Sequence, residues 1–221
     1  MSLQKPYFFQ TLCLVSMMAL NGITAAEPLK KANLTVKVHD TVESTVITAK
    51  TQQFDPAATL RIDWKSHASP KKFQSNRDKE GHLISTYRIG DTTITRTVIL
   101  DKTTETLFVH ALADQPGDLS LTVKLEGRKP ISIHDRRELV LSAEEAAAHA
   151  WILPFESDVK DDGKSIISVS GEGEILIILR LTATPAETHI GNTLQLLGQK
   201  FDPDHSLPNP HLIWQGVQSK K

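Results

Sequence analysis

Cysteine is nearly absent from this 221-residue chain. The one thiol, Cys13, stands inside an apolar stretch near the N-terminus. A disulfide framework is therefore excluded, and the fold must rest on a buried apolar core, which a chain of this size can supply. Aromatic residues make up 5% of the sequence, and only Trp64, Trp151 and Trp214 are tryptophans. An excess of one charge is missing too. The 25 Lys and Arg stand against 26 Asp and Glu, which leaves no basic face of the kind nucleic acid requires. Nine histidines are scattered without an H-x-x-x-H pair or a cysteine partner, so zinc-ligand spacing is lacking. No G-x-S-x-G, phosphate-loop or dinucleotide glycine pattern occurs. No cofactor and no metal is expected.

The N-terminus departs from this background. Lys5 precedes an uncharged apolar run from Leu12 to Leu20, and Ile23-Thr24-Ala25-Ala26 follows. A short positive region, a short apolar region and small residues at the cut describe a secretory signal peptide. The run is too short for a bilayer span, which takes about 20 residues. Residues 1–26 are therefore read as a signal removed after Ala26. The mature chain is expected to be secreted or periplasmic, free of cysteine, without a membrane segment, and to carry 24 cations against 26 anions.

What the sequence does contain is alternation. Leu119-Ser120-Leu121-Thr122-Val123-Lys124-Leu125 switches between apolar and polar at every step, the signature of a strand with one buried and one wet face. Thr106–Leu112 is apolar on both faces except at His110, so it reads as a more central strand. Thr92–Leu100 is rich in β-branched residues, and Gly90-Asp91 joins it to Leu83–Ile89 as a two-residue hairpin turn. With Asp114-Gln115-Pro116-Gly117-Asp118 as a further turn, these runs are read as a four-strand meander.

Similar runs extend in both directions. Leu34–Val38 and Val42–Thr48 read as two strands with a turn near His39-Asp40, and Leu60–Trp64 alternates strictly. Ser66–Gly81 is the most polar stretch, expected as a long surface loop or edge excursion; a solvated connection is the default reading of such charge, and a site for an anionic ligand the alternative. Ile131–Leu141 holds one or two strands around Asp135-Arg136-Arg137. Ser142-Ala143-Glu144-Glu145 is a capping box before alanines, predicting one short helix or turn. Trp151–Val159 returns to strand character. Ser165–Ser170 and Glu174–Thr182 are expected to pair as a hairpin across Gly171-Glu172-Gly173. Ile175–Leu179, apolar on both faces, is placed deep in a sheet. Ten to thirteen strands with turn chemistry between them predict an all-β fold, a large antiparallel two-sheet β-sandwich with at most one or two short helices. The sandwich is assigned to 27–200. Residues 201–221, with three prolines between Asp202 and Pro210, are read as an irregular tail.

Three of these stretches together carry a family resemblance. Thr59-Leu60-Arg61-Ile62-Asp63-Trp64, Tyr87-Arg88-Ile89-Gly90-Asp91-Thr92-Thr93-Ile94-Thr95-Arg96 and Phe108–Val123, with its Leu112-Ala113-Asp114-Gln115-Pro116-Gly117-Asp118-Leu119-Ser120 core, resemble the N-terminal domain of glycoside hydrolase family 95, the α-L-fucosidase-like enzymes. Gly173–Leu179 with Ala183-Thr184 is similar to that domain's closing strand. The likeness covers roughly Phe54 to Thr184. It implies a β-supersandwich and a saccharide-handling ancestry. The family's opening W-x-x-A-L-P-x-G-N-G segment has no counterpart, and Thr97 stands where the family has Glu after its Arg. The family's catalytic residues lie in a separate helical barrel that these residues do not contain, so no catalytic residue carries over. The expected partners are a saccharide or a glycoside hydrolase catalytic domain.

An independent catalytic site would need two carboxylates roughly 5–10 Å apart across a sugar. Glu144, Glu145, Glu156, Asp161, Asp162, Glu172 and Glu174 are the candidates, all at turns or strand ends where solvated acids are expected. Asp202-Pro203-Asp204-His205 offers oxygen ligands for calcium but lacks the glycine and distal Glu of a calcium loop. The tryptophans are the candidate ligand-binding residues, because sugars stack on exposed aromatic rings. Trp64 and Trp151 sit on strands, where core is the default, while Trp214 either packs back onto the sandwich or marks a contact surface. Three readings follow: a non-catalytic accessory or binding module in carbohydrate processing, a truncated or split hydrolase active only with a separate barrel, or a purely structural or partner-binding secreted protein. A hydrolase with its own site is a further alternative.

Overall fold

The computed structural model describes residues 34–51, 58–101, 104–134, 136–142, 146–155, 159–182 and 210–219. Residues 1–26, read above as a signal peptide, Glu144, Glu145, Glu156, the Asp202–His205 motif and Thr193–Leu197, where the sequence suggests a short helix or strand, all lie outside these residues. Two antiparallel sheets face one another. The six-stranded sheet runs β1 (Thr35–Asp40), β2 (Ser44–Lys50), β3 (Ala58–Lys65), β8 (Leu119–Glu126), β13 (Ile166–Glu172) and β12 (Lys160–Asp161). The eight-stranded sheet runs β4 (Lys71–Arg77), β5 (Leu83–Ile89), β6 (Thr92–Asp101), β7 (Thr106–Ala113), β14 (Glu174–Thr182), β11 (Ala147–Pro154), β10 (Glu138–Ser142) and β9 (Ile131–His134). The expected all-β sandwich is what the chain forms.

Period-two alternation builds the core between the sheets. Ile47, Leu60, Ile62, Leu121, Val123 and Leu125 point inward from the six-stranded sheet. Ile94, Val109, Ala111, Ile152, Ile175 and Ile177 meet them from the other side. The central strands β7, β14 and β11 are apolar on their second face as well. There Phe108, Trp151, Leu153, Leu176 and Ile178 form a second cluster on the outside of the sheet. Water cannot be left against that stripe at about 25 cal/mol per Å². Helix α1 (Pro210–Ser219) covers it with Ile213 and Trp214. Pro210 occupies the first helical position, where its missing N–H costs nothing.

Several local expectations change. The meander ends at β7, because β8 crosses to the other sheet and sits between β3 and β13. The turn at Asp114–Asp118 was correctly placed, with Gly117 at φ 91°. A turn signal marks where a chain reverses and is silent about which layer receives the next strand. For the same reason β13 and β14 are not a hairpin. β13 pairs with β8 and β12, β14 with β7 and β11, and the chain changes sheets at Gly171–Gly173. The two crossings touch: a Cβ on Gly173 would lie 3.4 Å from the Pro116 Cα. The alanines expected to continue a helix are strand β11, with Ala147, Ala148 and Ala150 fully buried. Two flanking strands override their helical propensity. Residues 210–219 of the tail, read as irregular, are helical, whereas the polar Ser66–Gly81 stretch holds an edge strand, β4, one of the two forms expected for it. The β5–β6 hairpin turns where expected, with Gly90 at φ 59°, while the turn expected near His39-Asp40 falls at Thr41–Glu43, because β1 continues through Asp40.

Leu121→Ala and Ile177→Ala are each expected to cost about 2–5 kcal/mol by opening a cavity between the sheets. Lys37→Ala, on the exposed face of β1, should stay within about 0.5 kcal/mol. Urea unfolding followed by tryptophan fluorescence checks both.

Candidate functional site

At one end of the sandwich the β3–β4 connection passes from one sheet to the other and leaves a cleft of about 500 Å³. Trp64 and Tyr87 form its inner wall, one from each sheet. Val42 and Glu43 of the β1–β2 turn close one side, and Lys65 and His67 line the mouth. The size lies within the roughly 300–1,000 Å³ of small-ligand clefts. The turn is held by Thr41, whose N–H donates to the Ser44 carbonyl at 2.8 Å, and by Trp64 N–H donating to the Glu43 carbonyl at 2.8 Å.

Behind the wall lies a buried cation. Arg96 of β6 points into the core, is 1% exposed, and lies over three rings: Tyr87 at 4.8 Å, Trp64 at 5.0 Å and Phe73 at 5.7 Å. Its Nη1 is 3.4 Å from Asp40 Oδ1, and its Nη2 donates to the Thr41 carbonyl at 2.6 Å. Asp40 also accepts hydrogen bonds from Thr45 and Ser85. The Trp64 Nε1–H donates to Thr45 Oγ1 at 2.9 Å. A buried charge demands a counterion and hydrogen bonds, and here they come from both sheets. The cluster therefore pins β1–β3 to β4–β6 and fixes both rings of the cleft wall. Burial pushes the Tyr87 phenol up to about 12, against the opposing pull of Arg96, so it is a neutral donor at any physiological pH.

A second polar cluster lies on the outer face under α1. His110 of β7 stacks on Trp214 with centroids 4.4 Å apart and rings 11° from parallel. Its Nε2 is 2.7 Å from Glu174 Oε1, and His211 Nδ1 is 3.3 Å from the same oxygen. Burial lowers the His110 pKa below its ordinary 6.5, with the Glu174 hydrogen bond opposing. Burial thus favours the neutral ring, and in that form a hydrogen bond to the carboxylate requires the proton on Nε2.

The three tryptophans that the sequence nominates as ligand residues are all buried: Trp64 is 8% exposed, Trp151 4% and Trp214 5%. Trp64 borders the cleft. Trp151 stacks on His149 and packs in the outer cluster, and Trp214 anchors the helix. The described carboxylate candidates are dispersed. Asp161 ends the exposed edge strand β12, and Asp162 opens the turn after it, where its Oδ1 accepts from the N–H groups of Lys164, Ser165 and Ile166. Glu172 accepts from Phe155 N–H at the sheet crossing, and Glu174 serves the helix. The described residues do hold one set of three potential metal ligands, which histidine spacing alone did not reveal: Asp78, Glu80 and His82. His82 Nδ1 is 2.9 Å from Asp78 Oδ2, and Asp78 Oδ1 accepts from the N–H groups of Glu80 and His82. The trio already closes its own β4–β5 turn. No helix of the described residues is long and apolar enough to cross a membrane.

The fold and cleft define an all-β two-sheet sandwich with a ligand-sized opening at one end. No protein-family model and no curated protein matches the chain.

Arg96→Met is expected to cost about 3–5 kcal/mol, because Asp40 is left buried without its cation. Adding Asp40→Leu should recover part of the loss, which a double-mutant cycle in urea measures. The depressed His110 pKa sets a second expectation. Above 6.5 the ring is neutral both folded and unfolded. As pH falls through 6.5 the unfolded chain takes up a proton that the folded one resists, so stability drops on the acid side. His110→Gln should remove that part of the acid sensitivity, read from unfolding midpoints between pH 7 and pH 5.

Proposed function

We propose that this protein is a secreted, non-catalytic binding module of carbohydrate processing, and that it holds a saccharide in the cleft at Trp64 and Tyr87. The observation that carries the reading is the cleft itself. Its inner wall is two aromatic side chains locked in place by Arg96, and its mouth is polar. The lining is mixed, apolar at Val42, Trp64 and Ile89 and polar at Glu43, Lys65 and His67, and a saccharide offers both kinds of surface. The likeness of Leu60–Trp64, Tyr87–Arg96 and Phe108–Val123 to a hydrolase accessory domain points to the same class of ligand. Glu43 is the only carboxylate among the described residues lining the cleft. Glycoside hydrolysis ordinarily needs a second one across the sugar, which favours holding over cutting.

Ala68 lines the cleft and is exposed. Ala68→Trp should fill the opening and abolish oligosaccharide binding on a glycan array while leaving the unfolding midpoint within about 0.5 kcal/mol of wild type. Binding that survives the blocked cleft, or turnover of a nitrophenyl fucoside that Glu43→Gln abolishes, would replace this reading with a different site or with an enzyme.

A further inference from the structure

The β4–β5 turn stands at the far end of its hairpin from the cleft, and it gathers three metal-ligating side chains. Asp78, Glu80 and His82 each bring one donor atom to a common spot, all within 4.8 Å of one another. His82 Nδ1 is 2.9 Å from Asp78 Oδ2 and 3.5 Å from Glu80 Oε2. Ligands around a four- to six-coordinate ion, with bonds of about 2.1 Å, sit roughly 3.0–3.4 Å from each other. The spacings in the turn bracket that range.

The backbone sets up the arrangement. Gly81 takes φ 86°, its N–H donates to the Asp78 carbonyl at 3.1 Å, and Asp78 N–H donates to the His82 carbonyl at 3.0 Å. Asp78 Oδ1 accepts from the N–H groups of Glu80 and His82 at 3.0 and 2.9 Å. With that oxygen held, Oδ2 is directed at His82 Nδ1. Outer hydrogen bonds orient metal-ligating carboxylates in this way. The Asp78 and His82 side chains are withdrawn from solvent, whereas Glu80 is half exposed and reaches in from the open side.

Charge alone does not explain the cluster. Residues 77–82 carry Arg77 and Lys79 as well as Asp78 and Glu80, and Arg77 Nη1 donates to the Gly81 carbonyl at 2.7 Å. The turn is close to neutral, so a cation gains little from long-range attraction and must be held by coordination. The imidazole nitrogen then decides the class of ion. Calcium and magnesium take oxygen ligands, and calcium wants about six to eight of them. One imidazole with two carboxylates is a donor set for zinc and its neighbours, and three protein ligands leave a position for water.

We propose that the β4–β5 turn binds a divalent first-row transition ion of the zinc class through Asp78 Oδ2, Glu80 Oε2 and His82 Nδ1. The ion takes the place of the proton shared between His82 and Asp78, and it staples the end of the edge hairpin. This site is separate from the cleft and does not depend on the saccharide reading.

The test is calorimetry of zinc chloride on the whole chain after dialysis against a chelator. One zinc per chain should bind, at least about a hundredfold tighter than calcium or magnesium. His82→Gln and Glu80→Gln should each weaken zinc about tenfold or more. Asp78 is left intact, because its Oδ1 closes the turn. His39→Gln, on the exposed face of β1, should bind as wild type does. Zinc should also raise the urea midpoint of wild type and leave that of the double variant unmoved, while all the proteins unfold alike in chelator. Failure to bind zinc overturns the proposal. Binding that survives the double substitution, or that His39→Gln weakens as much, also overturns it, since another histidine would then be the ligand. Calcium binding as tightly as zinc overturns the class of ion.

Discussion

Strand β14 is apolar on both faces, and that constraint organises the molecule. Ile175, Ile177 and Leu179 need one cover and Leu176 and Ile178 another. The six-stranded sheet provides the first and helix α1 the second. Everything around the strand follows from that two-sided demand. Its neighbours β7 and β11 share the outer apolar stripe through Phe108, Trp151 and Leu153. The helix that closes the stripe is oriented by its own polar contacts, where His211 and Trp214 reach Glu174 and His110. Hydrophobic burial supplies the affinity of the helix for the sheet. The hydrogen-bonded carboxylate supplies its register.

A different solution operates at the cleft end, where the two sheets are joined by charge. Arg96 takes a position that alternation assigns to the core, between Ile94 and Val98. Asp40, the Thr41 carbonyl and three aromatic rings make that position tolerable. Such an arrangement adds little net stability compared with an apolar core of equal volume. What it adds is geometry, because Thr45 Oγ1 meets both Arg96 and the Trp64 indole N–H, and the guanidinium lies over the Trp64 and Tyr87 rings. A binding surface made of rigid rings loses little conformational entropy when a ligand arrives. The functional proposal therefore draws on an interaction that would be hard to justify by stability alone.

Much of the architecture was legible in the residues. Alternation in Leu60–Trp64, Thr92–Leu100 and Leu119–Leu125 named strands, and the double-sided runs at Thr106–Leu112 and Ile175–Leu179 named the central ones. Layer membership was hidden. A period of two says which side of a strand is buried, and Leu119–Leu125 satisfies that equally well beside β7 or beside β3. Helix α1 was hidden as well. Its first turn has no acid and its last turn no base, so neither end carries the charge signals that mark a helix on its own. Its stability comes from the stripe it covers. The cleft was partly visible. Trp64 was singled out, and the charge of Ser66–Gly81 was noted. The lone arginine at an inward position of β6 was the signal that went unused, since a charge on the apolar side of a strand predicts buried partners.

The placement of β14 in the middle of its sheet has a consequence for how the chain reaches this state. Its partners β7 and β11 lie far upstream, and β8 likewise waits for β13 to complete its own neighbourhood. Until residue 182 has emerged from the ribosome, the eight-stranded layer is two unjoined pieces, each with an open edge and an uncovered apolar surface. Closure of the layer thus waits for β14 and is governed by distant pairings, the kind of topology that folds slowly.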